Sequence, residues 1–249
     1  MQILATDFDG TLFRNNTVTE ADLSAIRRFQ KAGNKFGIVT GRHLPSILKE
    51  AEMKAVPFDF LICCTGGILL DAQKNILAEH KAPREAVLPL YRETCAFGGM
   101  YFCVSVGMER LWYDTGFPPV YDDTEILPES ALSALSGFHE MGTRFPDEQT
   151  AARYVQTLNQ TYPDLLSAHQ NGIYIDVCAP HTSKVTGLYE ILTHFHAAEN
   201  DLSVVGDNLN DLEMIQAFHS FAVKSGRREL QAAADHTVSD FSEIVEILL

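Results

Sequence analysis

The sequence predicts an α/β fold: a Rossmann-like, doubly wound parallel sheet interrupted by an inserted α+β cap. Three observations predict it. Short apolar runs alternate with helical patterns over residues 3–63, and again over 183–248. Between residues 82 and 178 that rhythm breaks, and strands follow one another in hairpin order. Three of the core strands run into acidic or glycine-containing loops, at the strand ends where ligand sites of open parallel sheets lie.

Residues 3–6 are apolar and end in Asp7-Phe8-Asp9-Gly10-Thr11, which reads as a buried strand entering a loop. Thr19 with Asp22 three residues on predicts a capped helix start. Leu23, Ile26 and Phe29 keep helical spacing, and Gly33 ends the helix. A second strand over 36–39 runs into Thr40-Gly41-Arg42, a helix over 44–53 follows, and a third strand covers 58–63. This order predicts parallel pairing with right-handed crossovers. Residues 68–77 read as a hairpin turning over 71–75.

The middle segment offers a helix over 84–96, strands over 101–106 and 110–113, and a connector at Pro118 and Pro119. A strand over 138–145, a helix over 147–159, and strands near 165–168 and 173–177 follow, with Asn171-Gly172 as a hairpin turn. After Pro180 come a helix over 183–195 and a strand over 202–205 ending in Gly206-Asp207-Asn208. A helix over 211–217, a strand around Phe221 and Val223, and a last helix over 241–248 complete the pattern. The expected division is a core of residues 1–81 with 179–249, and a cap of 82–178.

The chain has 249 residues and a net charge of −14, so nucleic acid and anionic membranes are poor general partners. No apolar stretch approaches the length of a membrane span, and no signal-peptide pattern opens the chain. Five cysteines (Cys63, Cys64, Cys95, Cys103 and Cys178) without a C-x-x-C predict reduced thiols and a cytoplasmic location.

If the three loops converge, Asp7, Asp9, Asp207 and Asp211 crowd together. Two like charges 4 Å apart repel by about 4 kcal/mol at an effective dielectric near 20. Such a cluster needs raised pKa values or a hard cation such as Mg²⁺. Each loop alone reads as an ordinary turn or helix cap. Their joint occurrence, each at a strand end, points to chemistry.

This constellation resembles the haloacid-dehalogenase-like (HAD) phosphohydrolases, and the resemblance covers the whole chain. The motifs are Asp7-Phe8-Asp9-Gly10-Thr11-Leu12, the strand ending in Thr40-Gly41-Arg42, Lys184, and Gly206 through Asp211. An insertion between the second and third motifs resembles the Cof-type subfamily with a large α/β cap. The resemblance implies a Mg²⁺-dependent phosphatase acting on small phosphorylated metabolites, sugar phosphates first. Asp7 would be the nucleophile that forms an aspartyl-phosphate, and Asp9 the general acid and then base. The metal would take Asp7, the backbone carbonyl of Asp9 and Asp207, with Asp211 a ligand through water or an orienting group. Thr40, Gly41, Lys184 and Asn210 would hold phosphoryl oxygens. For Arg42, a phosphate contact and a salt bridge at the helix start stand equal.

A phosphomutase-like phosphotransferase and a non-catalytic binding protein on the same fold are the alternatives. The expected state is a monomer or weak homodimer. Two departures from the family pattern bear on substrate detail: Thr65-Gly66-Gly67 after the third strand, and Ala222-Val223-Lys224-Ser225-Gly226 after the fourth motif. In the cap, Trp112, Tyr113 and Tyr121 are expected as core more than pocket. A cationic residue such as Arg144 is expected to select the substrate.

Overall fold

The computed structural model describes residues 1–118 and 124–249, so Tyr121 lies outside the described residues. The first half of the core contains β1 (Ile3–Thr6), α1 (Glu20–Lys31), β2 (Lys35–Val39), α2 (Leu44–Met53), β3 (Phe60–Cys63), β4 (Ile68–Asp71) and β5 (Ile76–Glu79). The middle segment follows with β6 (Ala82–Pro83), α3 (Arg84–Ala96), β7 (Phe102–Val106), β8 (Glu109–Tyr113), β9 (Ile126–Leu127), β10 (Gly137–Phe138), β11 (Glu140–Arg144), α4 (Glu148–Thr161), β12 (Ser167–Asn171) and β13 (Tyr174–Cys178). The chain then returns to the core with α5 (Lys184–His194), β14 (Leu202–Gly206), α6 (Leu212–Ala217), β15 (His219–Val223), α7 (Arg228–Ala233), β16 (His236–Val238) and α8 (Phe241–Leu248).

The core sheet has the order β16-β15-β14-β1-β2-β3-β4-β5. Its first six strands pair in parallel, and the β4–β5 hairpin continues it antiparallel. β1 lies mid-sheet with helices on both faces, so every one of its residues is fully buried. Phe8, Phe29, Phe36 and Phe241 fill the layer on one face, and Ile3, Phe60, Leu188 and Ile191 the other. Thr19 caps α1 as its spacing predicts, accepting the Asp22 N–H at 3.1 Å. Asp22 is itself buried. It takes an ion pair from Arg14 at 3.0 Å and the Phe241 N–H at 3.3 Å, which ties α1 to α8.

The cap sheet has the order β12-β13-β11-β7-β8-β9 and is antiparallel except at β8–β9. Its core gathers Leu90, Phe102, Phe138, Phe145, Tyr154 and Ile175 beneath α3 and α4. Tyr113 belongs to that core, as expected. The predicted strand over 138–145 is broken at His139 into β10 and β11. His139 turns aside to donate its N–H to the Ser105 carbonyl at 2.9 Å and to meet Glu79 at 3.1 Å. Cap and core touch through side chains: Asn208 donates to Asn171 at 2.7 Å, Arg227 pairs with Glu148 at 3.0 Å, and Thr65 donates to Glu140 at 3.3 Å. Among the described residues no helix is long and apolar enough to cross a membrane.

Candidate active site

The ends of β1, β2 and β14 bring their loops together beneath the cap sheet, around a crevice of about 450 Å³. Asp7 follows β1, and its N–H donates to the Val205 carbonyl of β14 at 2.9 Å. Gly10 has φ +86°, and a Cβ there would stand 2.4 Å from Asp207 Oδ2. A side chain is therefore excluded twice, by conformation and by space. Glycine lets the backbone after Asp9 press against the Asp207 carboxylate, which also accepts from Thr11 Oγ1 at 2.9 Å.

Lys184 is the first residue of α5, whose start is fixed by a reciprocal cap between Ser183 and Thr186. An ammonium at a helix N-terminus opposes the helix dipole. Two carboxylates offset this: Nζ lies 2.6 Å from Asp7 Oδ1 and 2.6 Å from Asp211 Oδ1, and all three groups are buried. Burial works against the Lys184 charge, but Asp211 and Asp7 outweigh it and raise its pKa above the ordinary value. Burial pushes the Asp7 carboxyl well above its usual range. Lys184 counters this only in part, while Asp211 and Asp207 add repulsion. Asp207 is pushed up to about 6 by burial and by Asp211.

Asp7, Asp207 and Asp211 each offer a carboxylate oxygen, and these oxygens lie within 4.8 Å of one another. An all-oxygen set of three carboxylates, with the single ammonium of Lys184 on two of them, fits a hard divalent cation such as Mg²⁺. Asp211 has little capacity left for direct ligation. Its Oδ1 holds Lys184, and its Oδ2 accepts the N–H groups of Asp207 at 3.0 Å and Asn208 at 3.3 Å. That geometry makes it the residue that fixes the Asp207 loop.

The Asp9 carboxylate is not in this cluster. It is half exposed and receives Arg42 Nε and Nη2, each at 2.6 Å. Of the two readings of Arg42, the salt bridge is the one seen. Thr40 Oγ1 accepts the Arg42 N–H at 3.1 Å, and Thr40, Gly41 and Asn210 all line the crevice. Asn210 Oδ1 is buried without a hydrogen-bond partner. Lys184 touches the crevice residue Asp7 but is not itself among the residues lining the crevice.

A family model described as haloacid dehalogenase-like hydrolase matches residues 4–244. The chain belongs to this family. Its large inserted cap gives it the Cof-type architecture. A Streptococcus pyogenes protein, named for a bifunctional phosphatase and peptidyl-prolyl cis-trans isomerase, is 23% identical over 246 residues, covering 95% of this chain and 50% of that one. The chain thus spans about half the length of the curated relative it matches. A haloacid dehalogenase-like hydrolase from B. subtilis superposes with a TM-score of 0.83 at 16% identity, over 100% of this chain and 99% of the other. A HAD subclass IIB sugar phosphatase superposes with a TM-score of 0.79 at 19% identity, over 100% and 98%.

Within this family's fold the cap supplies crevice residues that the sequence motifs do not mark. Asp176 and Tyr174 on β13 point to the crevice, while Ile175 between them and Val177 after them are buried in the cap core. Strand alternation is the signal that exposes them. Asp176 Oδ2 would stand 2.8 Å from a Cβ at Gly41, so this glycine leaves room for a cap carboxylate. Burial raises Asp176 to about 6, against the pull of Lys184 and Arg110. Glu140 is held well above its ordinary value by burial and by Asp176. His43, at the cap of α2, is lowered to about 4 by burial and by Arg110 and Arg42. Arg144 is not among the residues lining the crevice; the cap cation that lines it is Arg110, on β8. Trp112 packs, tilted, against Tyr101 and holds Arg110 over its ring, and of these three Tyr101 and Arg110 line the crevice.

Proposed function

We propose that this haloacid dehalogenase-like hydrolase is a Mg²⁺-dependent phosphatase that hydrolyses phosphomonoesters of small metabolites, sugar phosphates first, through an aspartyl-phosphate on Asp7. One observation carries the reading: a buried carboxylate at the end of the central strand, held by Lys184 at 2.6 Å and grouped with Asp207 and Asp211 at one side of an open crevice. A sugar phosphatase among the superposable structures supports the substrate class.

Asp7 Oδ attacks phosphorus, and the bond from phosphorus to the leaving oxygen breaks. Asp9, carried on the exposed side of the same loop, gives that oxygen its proton. Asp9 then takes a proton from the water that attacks the same phosphorus, and the bond to Asp7 breaks to release phosphate. Lys184 keeps Asp7 oriented and offsets the charge gathered on the phosphoryl group. Thr40 Oγ1, the Gly41 N–H and Asn210 hold the phosphoryl oxygens. Arg42 grips both oxygens of the Asp9 carboxylate, so the acid step requires that pair to loosen. Asp7, Asp207 and the backbone at Asp9 would hold Mg²⁺, with Asp211 behind them; when bound it supplies neutralisation of phosphoryl charge.

The enzyme works in the cytoplasm on free metabolites, as a monomer or weak homodimer, and needs no nucleic acid or membrane. The test is hydrolysis of p-nitrophenyl phosphate. Excess chelator should abolish it and Mg²⁺ should restore it. Full activity in chelator, or no activity under any metal, would overturn the reading.

A further inference from the structure

The crevice is crowded with acid: Asp7, Asp9, Glu140, Asp176 and Asp207 face it, against two guanidinium groups. Arg42 is already committed, with Asp9 on Nε and Nη2 and Glu50 3.9 Å from Nη1. Arg110 is not. Among the described residues it forms no ion pair, although Asp176 and Glu140 share its crevice. It is nonetheless held in place. Its Nε donates to Cys103 Sγ at 2.8 Å, and its guanidinium carbon stands 4.8 Å from the centre of the Trp112 ring. Cys103 and Trp112 face each other across the β7–β8 ladder, so strand pairing fixes both supports. Among the described residues this leaves the two Nη groups without a hydrogen-bond or ion-pair partner. An anchored guanidinium with open Nη groups matches a carboxylate or phosphate bidentately.

The rest of the lining restricts what carries that anion. No aliphatic or phenylalanine side chain lines the crevice among the described residues, and the rings of Tyr101 and Tyr174 are its only large apolar surfaces. Its volume of about 450 Å³ is at the lower end of small-molecule sites. A compact, hydroxylated molecule fits such a wall, and a large aromatic or lipidic one does not.

The geometry points to a phosphomonoester that carries a second anionic group, carboxylate or phosphate, on the portion that leaves, with Arg110 holding that second group. This rests on the phosphatase reading and narrows its substrate.

The experiment compares matched pairs: phosphogluconate against glucose phosphate for the carboxylate arm, and fructose bisphosphate against fructose monophosphate for the phosphate arm. The quantity read is the ratio of kcat/KM within each pair. The wild-type chain should prefer the doubly anionic member in at least one arm. Arg110→Gln should lower that ratio by about ten- to a hundredfold, the worth of one hydrogen-bonded charge pair. Arg110→Lys should retain part of it, because the charge stays and the fork is lost. A wild-type ratio of one or less in both arms overturns the inference, as does a ratio unchanged in Arg110→Gln. Turnover of p-nitrophenyl phosphate in those cases leaves the phosphatase reading standing. If no ester is turned over, that reading fails, and thermal unfolding decides on Arg110 separately. In the Asp7→Asn background, a larger rise in Tm with the doubly anionic ligand, lost on adding Arg110→Gln, keeps Arg110 as an anion site. Equal rises remove it.

Discussion

Replacing Lys184 by methionine removes the charge and keeps most of the side-chain volume. Among the described residues the ammonium is the one cation touching Asp7 and Asp211, each at 2.6 Å, and both carboxylates are buried. Without it they face each other unpaired. Removing one partner of a buried ion pair typically costs about 3–5 kcal/mol. For a chain of this size that is a fall in Tm of roughly 6–20 °C, at about 2–4 °C for each kcal/mol. The catalytic loss is separate, at least about a hundredfold in kcat, the scale of deleting one electrostatic stabiliser. The assay is thermal unfolding in metal-free buffer, beside p-nitrophenyl phosphate turnover with Mg²⁺. Adding Mg²⁺ should narrow the stability gap, because a bound cation neutralises the same carboxylates. Turnover should not recover with it. A variant within about 1 kcal/mol of wild type without metal would refute the claim that Lys184 compensates those charges. Turnover within threefold of wild type would assign it a purely structural part.

Asp9→Asn removes proton transfer and leaves Asp7 in place; with p-nitrophenyl phosphate it should release one burst of nitrophenol and then stall, with the added phosphoryl group mapping to the Asp7 peptide by mass spectrometry. An adduct elsewhere would discard Asp7 as nucleophile. Gly10→Ala forces a side chain at φ +86° into Asp207 Oδ2; it should cost about 1–3 kcal/mol and weaken the Mg²⁺ response in the same titration. An unaltered metal response would show that Asp207 is not placed by that contact. His43 has its pKa lowered to about 4 when folded, against 6.5 for the free side chain. The unfolded chain therefore binds the extra proton, and stability is lost as pH falls from 6.5 towards 4. His43→Asn should flatten denaturant midpoints across that window, and an unchanged slope would contradict the burial and cationic surroundings assigned to it.

Residues tied to strand ends were legible in the sequence because the motif and the apolar run that carries it are local. The loops at Asp7, Thr40 and Asp207 meet at one crevice as their positions predict, and the β4–β5 hairpin turns where 71–75 predict it. α7 and β16 left no pattern to read. α7 is one turn and a half with Leu230 its only buried residue, and β16 buries only Val238. The open choice at Arg42 needed the partner Asp9, which lies 33 residues away. Arg144 lies off the crevice that Arg110 lines; sequence cannot say how far along a strand the crevice extends. Arg110, Glu140 and Asp176 each sit singly on a different strand, and only the β8–β7–β11–β13 succession brings them to one face.

β1 has β2 on one side and β14 on the other, and the Lys184–Asp7 contact spans 177 residues of chain. On the ribosome this separation becomes time. At roughly 5–20 residues per second, Asp7 waits on the order of ten to thirty seconds for its lysine. All the strands of the cap sheet have been made by then, while three strands of the core sheet are still to come. Throughout that interval the apolar edge of β1 lacks the strand that will cover it, an invitation to pairing with other newborn chains. Slow codons or a stall between β13 and β14 would lengthen that exposure without altering a single contact of the finished enzyme. The yield of folded protein would then depend on the pace of synthesis over this stretch as much as on the stability of the product.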